Sequence, residues 1–269
     1  MTTSVYAHMS YVNREDGNLG DKMGFHIADW MIGPNAYERI GMRDAKRIDE
    51  HTVALVGSVI AALVDKKCRI IGGGLINGNS RRYDPDLAIT GVRGFLTKAL
   101  IQRDSPHHRP EVIGDPGLLV SDIEPLPHCR RPEPLGFIVH DVDREAFAQK
   151  YPDHVQHIVD NYAPLESFVR QLSRYRSIAS TSLHGCIFSH AYGIPVAPFV
   201  LTDKVYGGDF KFEDYYSSYG LNVSRATLRG DVARIAADIV SAPQPDMSQV
   251  FDLKMRQREL ISAAFMPQG

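Results

Sequence analysis

Cysteine is scarce in this chain: Cys68, Cys129 and Cys186 are three among 269 residues. They are widely spaced, odd in number and never form a CxxC. That pattern supports neither a disulfide framework nor a zinc knuckle, and a reduced, cytoplasmic setting is the expectation. A surplus of positive charge is also lacking. Thirty Lys and Arg face 32 Asp and Glu, for a formal net charge of −2, so no global basic field points to nucleic acid. No apolar run is long enough to suggest a membrane span. The opening residues, "MTTSVYAHMSYVNREDGN", lack the basic and apolar regions of a signal peptide. Internal repeats and low-complexity segments are absent.

Two nucleotide signatures are missing as well. The run "IGGGLINGNS" follows a strand-like segment, but Gly72, Gly73, Gly74 and Gly78 fit neither GxGxxG nor GxxxxGK[ST]. A tight turn with close backbone approach is the commoner meaning of such glycines.

What is present is an ordinary globular composition, 43% hydrophobic and 23% charged, arranged as alternating β-branched runs and helix-like segments. "SVYAHMSY", "TVALVGSVI", "CRIIGGGLI", "GFIVHDVD", "SIAST" and "PVAPFVL" read as strands. "LGDKMGFHIADWMIG", "FLTKALIQ", "PLESFVRQLSRY", "LHGCIFSHAYG" and the tail read as helices. Such alternation with continuous apolar strands implies an α/β fold with parallel sheets covered on both faces. The Pro-rich stretch "DIEPLPHCRRPEPLG" is the natural linker. It gives an N-terminal unit over 1–122, a linker over 123–135 and a C-terminal unit over 136–269, whose last helix could cross back. Ligands of such sheets sit at the carboxyl ends of the strands, here in the cleft between two sheets.

One stretch combines these features. In "STSLHGCIFSHAYGIPV", Ser182, Leu183 and His184 stand where a strand becomes a helix. The free N–H groups and dipole of a helix start suit a phosphate or carboxylate. A backbone-satisfied histidine is the plainer alternative. In "REDGNLGDKMG", Asn18 and Asp21 offer an amide and a carboxylate near another helix start, although capping alone would explain Asp21. "VIGDPGLL" contains an Asp115-Pro116-Gly117 turn. His140, Asp141 and Asp143 end a strand, but no second pair of ligands has metal-binding spacing. The pairs Arg81-Arg82 and Arg130-Arg131 read as solvated surface.

Taken in order, "DGNLGDKMG", "VGSVI", "IGGGLI", "GVRGFLTKAL", "IGDPGLLV", "IVHDVD", "IASTSLHGCIFSHAYGIPV" and "DKVYGGDFKFEDYYSSYG" resemble the polysaccharide pyruvyl transferases. The likeness covers roughly residues 10 to 220 and is strongest to the succinoglycan-type ketal pyruvyltransferase branch. It implies a GT-B-like fold of two Rossmann-like domains facing a central cleft. It also implies transfer of the enolpyruvyl part of phosphoenolpyruvate onto two hydroxyls of a sugar, with phosphate released. Phosphoenolpyruvate is then a donor substrate, and no cofactor is implied.

By the same resemblance, Ser182, Leu183 and His184 bind phosphoenolpyruvate, with His184 as acid or phosphate ligand. Arg93 in "GVRG" supplies a guanidinium for an anion. Asn18 and Asp21 match the family's N-terminal loop, Asp21 as base towards the acceptor, and His140 and Lys211 complete the substrate-binding set. Where the family commonly has arginine before Leu-His, this chain has Ser182, so another cation such as Arg81, Arg131 or Lys204 would have to replace it. The implied acceptor is a sugar or lipid-linked oligosaccharide, which would bring the protein to the inner face of a membrane; a homo-oligomer is left open.

Two other readings compete. A GT-B glycosyltransferase using a nucleotide sugar would need a late carboxylate for the ribose, such as Glu213 or Asp214. A catalytically silent carbohydrate-binding protein could stack sugars on the aromatics of "FKFEDYYSSYG".

Overall fold

The computed structural model describes residues 3–7, 17–127 and 132–266. Cys129, Arg130 and Arg131 lie outside the described residues, as does part of the expected first strand and of the "REDGNLGDKMG" loop. The strands are short: β1 (Ser4–Ala7), β2 (Glu38–Gly41), β3 (Thr52–Ala54), β4 (Arg69–Ile70), β5 (Ala88–Ile89), β6 (Gly91–Val92), β7 (Val112–Ile113), β8 (Glu133–Ile138), β9 (Tyr175–Ser180) and β10 (Val196–Pro198). All their pairings are parallel. They form a five-stranded sheet in the order β2-β1-β3-β4-β5, a three-stranded sheet β10-β9-β8 and a two-stranded β6-β7 pair. The register aligns Val5 with Val53 and Ile138 with Ser180.

The mixed α/β architecture with parallel sheets is therefore the one the alternating pattern implies. The elements are more broken than the runs suggested. "TVALVGSVI" gives only three strand residues before it turns, and "CRIIGGGLI" only two. Glycines and β-branched residues share these stretches, so the chain pairs briefly and then bends.

The helices are α1 (Leu19–Ile32), α2 (Phe95–Asp104), α3 (Val120–Ile123), α4 (Arg144–Lys150), α5 (Leu165–Leu172), α6 (Leu183–Ala191), α7 (Phe210–Ser217), α8 (Val232–Ser241) and α9 (Met247–Phe265). Their inward faces follow the helical period. In α5, Leu165, Phe168, Val169 and Leu172 are buried, which is the i, i+3, i+4, i+7 stripe. Fully burying each such side chain contributes about 1.5–3 kcal/mol.

One hydrophobic core runs through both halves of the chain. It joins Val5, Met23, Ile27 and Val53 to Phe168, Ile178, Ile187 and Tyr215, while two smaller clusters lie beneath the flanking elements. Helix α9 packs back onto the N-terminal half. Its Gln257 Nε2 donates to the Gly114 carbonyl at 2.8 Å, its Lys254 pairs with Asp122 at 2.5 Å, and its Arg258 lies over the Trp30 ring. Among the described residues, no helix is long and apolar enough to cross a membrane.

Candidate active site

Between the carboxyl ends of β3 and β8 and the starts of α1 and α6 lies a cavity of about 530 Å³. Its wall includes Asn18, Asp21, Arg93, His140, Ser182, Leu183, His184 and Lys211. The structure thus brings together every site residue expected from the sequence, from segments up to 193 positions apart. Each arrives by a local cause.

Helix α1 begins at Asn18, whose side-chain oxygen accepts the Asp21 N–H at 3.0 Å. The amide nitrogen of Asn18 in turn donates to Asp21 Oδ2 at 2.5 Å. Asn18 is therefore the cap, and Asp21 is an acid in the first turn, where the helix dipole favours its charge. The next contact explains Gly20: a Cβ there would overlap the His184 ring. Only glycine lets α1 approach the start of α6 this closely.

Helix α6 begins after β9, with Ser182 in extended conformation at its N-cap. The Ser180 hydroxyl holds the turn, accepting from Ser182 N–H at 3.1 Å and donating to the Ser182 carbonyl at 2.8 Å. No side chain among the described residues caps this helix, which leaves its first N–H groups for a ligand. His184 stacks on Phe188, and its Nε2 is buried with no hydrogen-bond partner among the described residues. Burial, then the nearby Arg93, Lys211 and His140, lowers its pKa to about 3. The imidazole is neutral at neutral pH, and a buried polar atom without a partner is costly unless a ligand meets it.

Lys211, near the start of α7, is mostly buried; its ammonium donates to the Tyr206 carbonyl at 3.1 Å. Burial, Arg93 and Arg225 lower its pKa to about 8, against the raising influence of Asp21 and Asp143. His140 follows β8. Its N–H donates to Thr181 Oγ1 at 2.8 Å, and burial, followed by Lys211, lowers its pKa. Among the described residues, no three His, Cys, Asp or Glu side chains gather as a metal-ligand set, and His140, Asp141 and Asp143 do not form one.

Arg93 stands differently from its expected role as an anion ligand. It is wholly buried, and its Nε donates to Asp214 Oδ2 at 3.0 Å, Nη1 to Ser58 at 2.8 Å and Nη2 to the Leu75 carbonyl at 2.6 Å. Its guanidinium lies against Gly74, where a Cβ would overlap it, which is what that turn glycine serves. Asp214 is equally buried and also accepts from the Thr97 N–H and hydroxyl, both at 2.7 Å. It caps α2 from α7, with Ser217 accepting the Phe95 N–H at 2.9 Å. Asp214 is thus spent on structure and offers no carboxylate to a ribose, while Glu213 does not line the cavity. Phe210 is only half-buried but does not line the cavity, and the other aromatics of this segment, Phe212, Tyr215, Tyr216 and Tyr219, are buried, so the segment offers the cavity no stacking face. It packs inward because His190 Nδ1, Tyr215 Oη and Tyr219 Oη form a buried chain at 2.9 and 3.2 Å.

Of the cations weighed as substitutes near Ser182, Lys204 lines the cavity and Arg81 does not. Ser58, Tyr162 and Tyr206 also line it and were not singled out from sequence. Ser58 lies in a run read as strand and Tyr162 and Tyr206 in loop stretches, and nothing local marked any of the three; tertiary packing places them.

The sequence pattern of one family, described as polysaccharide pyruvyl transferase, matches residues 53–202, more than half of the chain. The chain belongs to the polysaccharide pyruvyl transferase family. An uncharacterised protein of Acanthamoeba polyphaga mimivirus is 33% identical over 175 residues, 62% of this chain and 59% of that protein. The chain therefore spans about three fifths of the length of that relative. Among solved structures, a functionally uncharacterised protein of Klebsiella pneumoniae aligns over 85% of this chain and 94% of its own, at 14% identity and a TM-score of 0.45. A GtfA/B complex aligns over 83% of this chain and 57% of its own, at 12% identity and a TM-score of 0.30. What marks this pyruvyl transferase family member is the Ser182-Leu183-His184 start of α6, held within one cavity with Lys211 and Asp21.

Proposed function

We propose that this protein is a ketal pyruvyltransferase that uses phosphoenolpyruvate and a sugar acceptor in polysaccharide biosynthesis. The observation that carries this reading is the start of α6, which no side chain among the described residues caps, with the His184 Nε2 that none of them meets and the buried Lys211 ammonium lining one cavity. Phosphoenolpyruvate carries a phosphate and a carboxylate, and both need cationic or N–H partners in a site that excludes water.

In this reading Lys211, Ser182 and the α6 N–H groups hold the anions, and His184 Nε2 meets one of them. Anion binding beside His184 favours its protonated form, which then delivers a proton to the methylene carbon of the donor. A sugar hydroxyl attacks the resulting oxocarbenium carbon, and Asp21 accepts its proton. A second hydroxyl then displaces phosphate and closes the ketal. Of the two hydroxyl protons, one balances that given to the methylene carbon and the other leaves with phosphate. Arg93 acts from the wall through its field alone, which disfavours protonation of His184 and Lys211 until an anion arrives. Lys204 takes the place of the cation missing at Ser182.

The reading extends to a two-domain, GT-B-like arrangement with a boundary near residues 123–135, to the succinoglycan-type branch, and to a cytoplasmic protein that meets a lipid-linked acceptor at the inner membrane face. The test is to incubate the protein with phosphoenolpyruvate and a panel of methyl glycosides, following phosphate release and the ketal methyl signal by NMR. Ketal formation that fails in His184→Ala supports the reading. Transfer from nucleotide sugars, with phosphoenolpyruvate inert, moves the protein to the glycosyltransferases.

A further inference from the structure

The cavity has two zones. The inner wall is polar and shielded, with Ser182, Lys211 and Arg93 all buried. The outer wall carries two apolar groups in water, Tyr206 at 71% and Val142 at 41% exposure, beside the exposed Lys204. Tyr206 differs from the other tyrosines of its region, which are buried in ring contacts. Its own ring has no aromatic or cationic neighbour and its hydroxyl no hydrogen bond among the described residues. Yet its backbone is held from both sides. The buried Lys211 ammonium donates to the Tyr206 carbonyl at 3.1 Å. The next residue, Gly207, has φ +88° and lies so close to the Ile76 carbonyl that a Cβ would overlap it. A bare ring on a pinned backbone presents its face at low entropic cost to whatever enters.

We propose that Tyr206 is the stacking platform for the acceptor, a pyranose ring laid with its C–H face on the phenol and with Val142 on the same apolar rim. The assignment rests on the pyruvyl-transfer reading and adds to it the acceptor's place. An aromatic face takes the apolar side of a sugar, while the sugar's hydroxyls stay free for the polar inner wall. It also moves the stacking role from the buried aromatics of α7 to the loop before that helix. The Lys211–Tyr206 bond joins the two zones, so the residue that meets donor anions also holds the acceptor platform.

The test measures binding of methyl β-D-gluco-, galacto- and mannopyranoside by ligand-observed NMR titration, and of phosphoenolpyruvate by calorimetry. Wild type, Tyr206→Phe and Tyr206→Ala are compared. The proposal expects at least one glycoside to bind wild type and Tyr206→Phe alike. Tyr206→Ala should weaken it by about tenfold or more, the size of one stacking contact, with phosphoenolpyruvate affinity unchanged. Glycoside binding that survives Tyr206→Ala overturns the proposal, as does a wild type that binds none of the three. Equal loss of phosphoenolpyruvate in Tyr206→Ala overturns it too, since the loop would then serve the donor. Glycoside binding that depends on Tyr206 in a wild type blind to phosphoenolpyruvate would sink the donor reading and leave the platform standing.

Discussion

Two cations stand on the wall of the same cavity and do opposite work. Arg93 has spent its guanidinium on Asp214, Ser58 and Leu75, and neither member of its ion pair is exposed. Among the described residues Lys211 has one hydrogen bond, to the Tyr206 carbonyl, and its pKa is lowered to about 8. A buried guanidinium with its fork satisfied is a brace, because any ligand would first have to displace a partner that is already desolvated. A buried ammonium with donors to spare costs stability until an anion meets it. Position in the cavity does not separate the two roles; the count of partners does.

That contrast breaks most visibly at the brace. Arg93→Met leaves the Asp214 carboxylate buried without its charge partner and should cost about 3–5 kcal/mol, read from urea midpoints. The double variant Arg93→Met with Asp214→Leu should regain much of that loss, since a pair replaced by apolar groups leaves no orphaned charge. A cost near zero for Arg93→Met would make Arg93 a ligand residue after all. At the other cation, Lys211→Met should leave the urea midpoint level or raise it. It should weaken phosphoenolpyruvate by about 2 kcal/mol, roughly 30-fold, the scale of one charge-assisted hydrogen bond. A stability loss like that of Arg93→Met would erase the distinction.

The pH dependence sharpens it further. His184 is held near a pKa of about 3, whereas an unfolded histidine titrates near ~6.5. Below that value the unfolded chain takes up a proton that the folded chain refuses, so stability falls as pH drops from 6.5 towards 3. His190, lowered by burial to about 4, has the same sign; Asp115, raised by burial to about 6, opposes it between pH 6 and 4. His184→Asn should therefore flatten the decline in melting temperature between pH 7 and 5, and an unchanged slope would contradict the buried neutral imidazole. The smallest effect is expected at Asn18→Ala. Loss of the α1 cap should cost about 1 kcal/mol by the same urea measurement, and no cost would mean that another group caps the helix.

The comparison also marks what the sequence could convey. The start of α6 was legible because strand, N-cap serine, histidine and helix follow one another within a few residues. Asn18 and Asp21 were legible for the same local reason, although the cap proved to be Asn18. Arg93 could be placed at the site but not given its role, because its partner Asp214 lies 121 residues away. Phe212, Tyr215, Tyr216 and Tyr219 of "FKFEDYYSSYG" failed as a sugar surface on similar grounds: their burial depends on His190 and on the packing of α7 against α2. Strand β2 and helix α7 were not expected, the first lacking a continuous apolar run and the second lying in a glycine- and charge-rich stretch. Tyr206 was hidden inside a loop signal, and only its exposure on a pinned backbone distinguishes it.

The most direct test of the whole account is a calorimetric titration of phosphoenolpyruvate into the wild type and into His184→Ala at neutral pH. Saturable binding at one site, lost or strongly weakened in His184→Ala, is the predicted result. Binding indifferent to that substitution, or no binding at all, would contradict the claim that the start of α6 is an anion site for this donor.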